Sequence, residues 1–405
     1  MAVLKPALGN LIKSGELTVV DPDGRRTTFG DGSGIPIVAR LRGPLTPIKL
    51  ALRPDLYLGE AYMDGSLCVE QGGLWDLLDL IGRNLSHRRQ PHGGLWMRPI
   101  KSIARHLHQM NSARAARRNV AHHYDLPVDM YRSFLDRDMQ YSCGYFEDET
   151  ASIDEAQAAK KNHIIAKLLL QPGQRILDIG CGWGGLAISI AQSEDVEVVG
   201  ITLSKEQLEI ARERARAAGL SNRVRFELKD YREVGGRFDR IVSVGMFEHV
   251  GAPHYGTFFD RLKQLLYDDG GALIHAIGRA TGPDVTSAWI RKYIFPGGYI
   301  PALSQVWPAV ERAGLWVTDL EILRLHYADT LRAWRQRFLA AAGNKYDERF
   351  RRMWEFYLAI SEMSFRYGGM MVFQMQLART VDALPRTRDY MFEYERRAAH
   401  LRAAE

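Results

Sequence analysis

At 405 residues the chain is too long for one ordinary domain and suits two or three. It is 46% hydrophobic and 25% charged, which excludes a disordered polymer, and no apolar run approaches the roughly 20 residues of a membrane-spanning helix. The net charge of +6 points to an anionic partner, either nucleic acid or an anionic membrane face, without choosing between them.

The N-terminus, MAVLKPALGNLIKSGEL, lacks an apolar core long enough for a signal peptide. The cysteines (Cys68, Cys143 and Cys181) are odd in number, widely spaced and without a CxxC pair. They indicate neither a disulfide framework nor a metal site, and a reducing cytoplasm fits them best. Across 1–85, short alternating stretches (Leu17 to Val20, Ile35 to Leu41) are broken by turn signals such as Asp23-Gly24, Asp31-Gly32 and Gly43-Pro44. A helical segment follows around Leu74 to Ile81, so 1–85 is predicted to be a small α+β domain. The run at 86–120 has no acidic residue, and Leu95, Trp96, Ile100, Ile103, Leu107 and Met110 recur at helical intervals. Either a basic amphipathic helix on a membrane surface or a solvated linker helix accounts for it.

From 121 to 405 strand and helix patterns alternate. RILDIG, VEVVGI, VRFEL, FDRIVSV and GGALIHAI read as buried strands; SKEQLEIARERARAAG and PHYGTFFDRLKQLLY read as amphipathic helices. That alternation predicts an α/β fold with a doubly wound, mostly parallel sheet.

LDIGCGWGG at 177–185 follows the first strand of this sheet and opens a helix. Such a loop suits a dinucleotide, S-adenosylmethionine (SAM) or a purely structural turn. Three details favour SAM. Gly180-Cys181-Gly182 lacks the continuation of the dinucleotide fingerprint, and Asp178 stands on the strand end before it. Thr202 and Gln207 after the second strand, and Asp230 and Tyr231 after the third, fall where ligand groups converge at strand carboxyl ends. The second strand ends without the acid that often holds a ribose, so either Thr202 and Gln207 do that work or the ribose is held otherwise.

YSCGYF at 141–146, LDIGCGWGG at 177–185, GITLSKEQ at 200–207, GMFEHVG at 245–251, YIFPGGYIP at 293–301 and HYADTLRAW at 326–334 occur in this order. Together they resemble the cyclopropane-fatty-acyl-phospholipid synthases and mycolic acid cyclopropane synthases, over roughly 120–380. The resemblance implies a class I SAM-dependent methyltransferase fold with a helical acyl-tunnel cap. The N-terminal block would then be the lipid-binding or docking domain of the longer phospholipid enzymes. It implies methylene addition across a cis double bond of an unsaturated phospholipid acyl chain. Methyl transfer gives a carbocation, and a bound bicarbonate removes a proton as the ring closes.

Carried over residue by residue, Glu248, His275 and Tyr327 match the side-chain ligands of bicarbonate, and Cys143 and Ile277 offer backbone N–H groups. SAM contacts fall on Tyr141, Ser142, Gly180, Gly182, Thr202, Leu203, Gln207 and Tyr231, with Asp230 beside them. A cation needs an apolar, aromatic-walled cavity, and Tyr145, Phe146, Phe247, Trp289, Tyr293, Phe295 and Tyr299 are available for its walls. The sequence departs from the family pattern at Leu126-Pro127-Val128 and in the methionine-rich SEMSFRYGGMMVFQMQLAR, both where the lid and tunnel are expected. The resemblance further implies a homodimer, peripheral on the inner, anionic face of the membrane and not bound to nucleic acid. Two alternatives share the scaffold: alkene methylation to a methyl-branched or methylene product, and a small-molecule amine methyltransferase.

Overall fold

The computed structural model describes residues 1–86, 127–343 and 345–404, and these pack as two compact units. The basic run at 86–120 lies, but for Ser86, outside the described residues. The first unit holds the described part of Met1–Lys101 together with Val285–Pro296 and Ala328–Met370. The second holds the described part of Ser102–Asp284 with Gly297–Tyr327 and Met371–Glu405. The division therefore differs from a simple N-terminal block followed by 121–405: two later segments pack with the N-terminal residues.

In the first unit β1 (Glu16–Val20), β2 (Arg26–Gly30), β3 (Ile37–Leu41) and β4 (Leu67–Gln71) form a sheet in the order β2-β1-β3-β4. The predicted Asp-Gly turn closes the β1–β2 hairpin: Asp21 Oδ1 accepts from the N–H groups of Asp23 and Arg25 at 3.0 and 2.9 Å. Alternation in β3 buries Ile37, Ala39 and Leu41. The helices Pro54–Met63 and Leu74–Ser86 pack on the helix Glu348–Tyr367. Hydrogen bonds across that packing include Tyr62 Oη to Glu355 at 2.8 Å and Tyr367 Oη to Asp79 at 2.6 Å.

In the second unit seven strands lie in the order β10-β11-β9-β8-β5-β6-β7. They are β5 (Arg175–Ile179), β6 (Glu197–Thr202), β7 (Val224–Leu228), β8 (Phe238–Val244), β9 (Leu266–Arg279), β10 (Trp316–Ile322) and β11 (Met370–Ala378). The first five match the strands predicted from the sequence, and they pair with one another in parallel. One face is covered by Ile164, Ala187, Ile190, Leu208 and Ala211, the other by Phe258, Phe259, Leu262, Val306 and Val310. This is the α/β fold of SAM-dependent methyltransferases. The chain fills β6 and β7 on one side of β5, then returns to β8 on the other. The crevice at the carboxyl end of β5 is thus a topological switch point, where such sheets bind ligands.

The methionine-rich segment supplies β11. Met371 and Met375 pack with Phe373 and Leu377 in the sheet core, on one face of a strand buried on both. β11 runs antiparallel to β10. Among the described residues no helix is long and apolar enough to cross a membrane.

Candidate functional site

The switch-point crevice is a pocket whose lining includes all nine of the cofactor residues expected from the sequence. Gly180 and Gly182 come from the turn after β5, Thr202, Leu203 and Gln207 from the end of β6 and the helix that follows, Asp230 and Tyr231 from beyond β7, and Tyr141 and Ser142 from the loop before the helix Ile153–Leu168. Gly180 has φ +84°, and a Cβ there would lie 2.9 Å from the Met246 Cβ, so only glycine fits this turn. Its N–H and that of Cys181 both donate to the Ile201 carbonyl, at 2.9 and 3.0 Å, which ties the loop to β6. Thr202 Oγ1 donates to Gln207 Oε1 at 2.9 Å, so the two residues proposed to replace a ribose-binding acid are already joined. Asp230 is more committed than expected: both its oxygens accept from Arg232, at 2.8 Å each.

Among the pocket residues that the sequence reading did not assign are Trp183, Lys229 and His249. Burial alone takes the His249 imidazole down to about 4, so it is neutral and adds no positive charge to a pocket for a sulfonium. Burial raises the Asp178 carboxyl to about 7, against the pull of Lys160, and Asp178 Oδ2 has no partner among the described residues.

Also missed was Lys160, fully buried under the loop that carries Tyr141 to Cys143. Its ammonium donates to Gln140 Oε1 and, at 2.9 Å, to Ser142 Oγ, while the Gln157 amide donates to the Ser142 carbonyl at 2.9 Å. An unpaired ammonium there would cost several kcal/mol, so these bonds fix the loop as well as satisfy the charge. Burial still lowers the Lys160 amine to about 8.

Of the five expected anion-site residues, Glu248 and Ile277 are bonded to each other, His275 is bonded to Gln374, and Cys143 and Tyr327 are buried. Glu248, in the short helical turn Phe247–His249 after β8, accepts the Ile277 N–H at 2.5 Å. The Ile277 N–H, expected to serve a bound anion, is thus engaged by Glu248. Glu248 Oε2 has no partner among the described residues. Burial raises this carboxyl to about 7 despite the Ile277 bond. His275, buried on β9, meets the Gln374 amide nitrogen from β11 through Nδ1 at 3.1 Å. Burial holds its imidazole well below the usual range, and the charges of Lys160 and Lys167 push the same way. Cys143 and Tyr327 are both buried. Their segments are joined where the Phe146 N–H donates to His326 Nδ1 at 3.0 Å.

The aromatic residues divide. Phe247 is core, stacked on Tyr255 at 4.6 Å and edge-on to Phe258. Tyr145 lies between His163 and His326, with ring centroids at 4.2 and 4.9 Å. Trp289, Tyr293 and Phe295 belong to the first unit, where Trp289 packs on Phe356 and Tyr293 donates to Glu60.

The family model described as mycolic acid cyclopropane synthetase matches residues 111–375. The chain is 39% identical over 381 residues to the tuberculostearic acid methyltransferase UfaA1 of Mycobacterium tuberculosis, covering 87% of each protein. It is 38% identical to the cyclopropane-fatty-acyl-phospholipid synthase of Escherichia coli, covering 86% of this chain and 89% of that one. Among solved structures it is similar to the mycolic acid cyclopropane synthase CmaA1 complexed with SAH and CTAB, with 35% identity and a TM-score of 0.61 over 64% of this chain and 97% of that one. A switch-point pocket behind a glycine turn, in a chain matched over so much of its length, leaves one assignment: this protein belongs to the cyclopropane synthase family and is a SAM-dependent C-methyltransferase.

Proposed function

We propose that the protein transfers a one-carbon unit from SAM to the cis double bond of unsaturated acyl chains in membrane phospholipids and closes a cyclopropane ring. The observation that carries this reading is Glu248: a buried carboxyl with one oxygen bonded to Ile277 and the other without a partner among the described residues, in the turn just beyond the end of β8, where Val244 pairs with His275 of β9. SAM when bound supplies an electrophilic methyl group, and bicarbonate when bound supplies a base. Cys143, Glu248, His275, Ile277 and Tyr327 are the residues that would hold the anion. They suit one, because a carboxyl raised to about 7 is substantially protonated near neutral pH, and in that form can donate through Oε2 instead of repelling. The buried ammoniums of Lys160 and Lys167 act on His275 electrostatically and add positive potential to the same region. Tyr141, Ser142, Thr202, Gln207, Asp230 and Tyr231, with the Gly180–Gly182 turn, would hold SAM.

The test is expression in a bacterium lacking such activity and fed deuteromethyl-methionine, followed by mass spectrometry of its fatty acids. An unsaturated acid that gains CD2 and loses its double bond without branching supports ring closure. A product that keeps three deuterons or a double bond sinks it in favour of alkene methylation. That second reading has its own support in the similarity to UfaA1, a methyltransferase by name.

Acyl chains of phospholipids must be met at a membrane. A peripheral position on the anionic inner leaflet is supported by the helix Thr46–Leu52 and its flanks. There Leu45, Ile48 and Leu52 are 60%, 42% and 71% exposed at helical spacing. Arg42, Lys49 and Arg53 flank them, and 41–54 contains no acid. Replacing Ile48 and Leu52 by glutamate is expected to weaken sedimentation with phosphatidylglycerol vesicles at least about tenfold, with thermal midpoint unchanged. Equal binding of variant and parent would remove this surface from the reading.

A further inference from the structure

Beyond the residues already discussed, the second unit contains a chain of buried polar side chains that ends on His275. Lys167, 2% exposed on the helix Ile153–Leu168, donates to Glu321 of β10 and, at 2.7 Å, to Gln374 Oε1 of β11. Glu321 also accepts from His163 Nε2 at 2.7 Å, and His163 Nδ1 meets Glu395. Gln374, fully buried, places its amide nitrogen 3.1 Å from His275 Nδ1.

The chemistry of these groups leaves one arrangement of protons. An ammonium only donates, so the atom of Gln374 that faces Lys167 must be the carbonyl oxygen. The atom facing His275 is then the NH2 group, which donates, and His275 Nδ1 must accept. A ring that accepts at Nδ1 and is kept neutral by burial carries its proton on Nε2. Lys167 cannot swing away, because Glu321 and, at 3.9 Å, Asp319 hold it in place. Burial opposes ionisation of Glu321, but the His163 bond and the Lys167 charge outweigh it and bring the carboxyl to about 2. The negative end of the chain is therefore permanent across the working pH range.

We propose that Lys167 and Gln374 are positioning residues that lock His275 as the Nε2–H tautomer, so that the imidazole presents a hydrogen-bond donor, never a base, to an anion bound in its pocket. This rests on the reading of that pocket as an anion site. It adds that the proton lost from the substrate is not taken by His275, although histidine is the side chain most often used for such work.

The test is Gln374→Glu. The glutamate is isosteric and forms an ion pair with Lys167, so a role confined to packing predicts no loss. A carboxylate facing Nδ1 instead draws the imidazole proton to that nitrogen and leaves Nε2 as an acceptor. Nitrogen-15 NMR of histidine-labelled protein, with the His275 signals identified by their loss in His275→Gln, reads the tautomer directly. The expected result is a protonated Nε2 and an unprotonated Nδ1 in the parent. In Gln374→Glu the reverse is expected, with kcat on oleoyl-phospholipid vesicles lower on the order of 100-fold and the SAM dissociation constant unchanged. Gln374→Asn, which keeps the amide but shortens its reach, should fall between the two. A protonated Nδ1 in the parent, or an unchanged kcat in Gln374→Glu, overturns the proposal. Failure of the anion reading shows itself separately, as parent turnover that does not depend on added bicarbonate.

Discussion

Glu248→Gln is expected to lower turnover on the order of 100-fold or more while leaving SAM affinity unchanged. The amide keeps the shape of the carboxyl, and its oxygen still accepts the Ile277 N–H, so the turn after β8 and the pocket wall survive. What it loses is the exchangeable proton. Glu248 sits near 7, where it can give or take a proton at working pH, and glutamine can do neither. Stability should move the other way. Burial holds the folded-state carboxyl above its unfolded value, so the protonated form is favoured in the fold. Its contribution is complete below the unfolded value of roughly 4.3 and is lost as pH rises through about 7. Glutamine has no such loss. Thermal melts should show Glu248→Gln more stable than the parent at pH 8, by at most about 4 kcal/mol, with the two converging below about pH 4. A variant destabilised equally at both pH values would mean that Glu248 is ionised and paired, and would contradict this account.

Gly180→Val should abolish cofactor binding. At φ +84° any Cβ is strained, by about 1–3 kcal/mol, and here it would also be driven to 2.9 Å from the Met246 Cβ. The loop can relieve this only by leaving its two hydrogen bonds to Ile201, which reshapes the floor of the pocket. Isothermal titration calorimetry is expected to show SAM affinity reduced by at least about 100-fold. The stability of the first unit, which contains none of these residues, should be unaffected. Retention of SAM affinity within about tenfold would place the ligand elsewhere than this turn.

The parallel half of the sheet was readable because β5, β6, β7 and β8 are short apolar runs, each followed by turn or cap residues. Gly180, Thr202 and Asp230 thus announce both the strand ends and the pocket. β10 and β11 were not readable in the same way. In β11 the methionines drew attention to packing adaptability, whereas the informative feature is the alternation of Met371, Phe373, Met375 and Leu377 with Gln374 and Gln376. That period of two marks a strand with one apolar and one polar face, and the polar face carries the residue that meets His275. Similarly, Gln157, Lys160, His163 and Lys167 recur along the inner face of one helix. Charged residues at helical spacing read as a solvated stripe. Nothing local distinguishes that from a buried network, because their partners Gln140, Glu321 and Gln374 are distant in sequence. Motif resemblance supplied Glu248, His275 and Tyr327, but could not say that Glu248 engages Ile277.

The composite make-up of the first unit matters while the chain is being made. Its helices Pro54–Met63 and Leu74–Ser86 emerge from the ribosome long before the helix Glu348–Tyr367 against which they pack. At roughly 5–20 residues per second, the residues from Ser86 to Glu348 take about 13 to 50 s to synthesise. Through that interval the faces that Tyr62 and Asp79 will share with Glu355 and Tyr367 lack those partners. The four-stranded sheet can close early, but the surface beside it must wait for the end of translation. Removing the N-terminal part would leave the matching face of the late helix without these described partners in the same way.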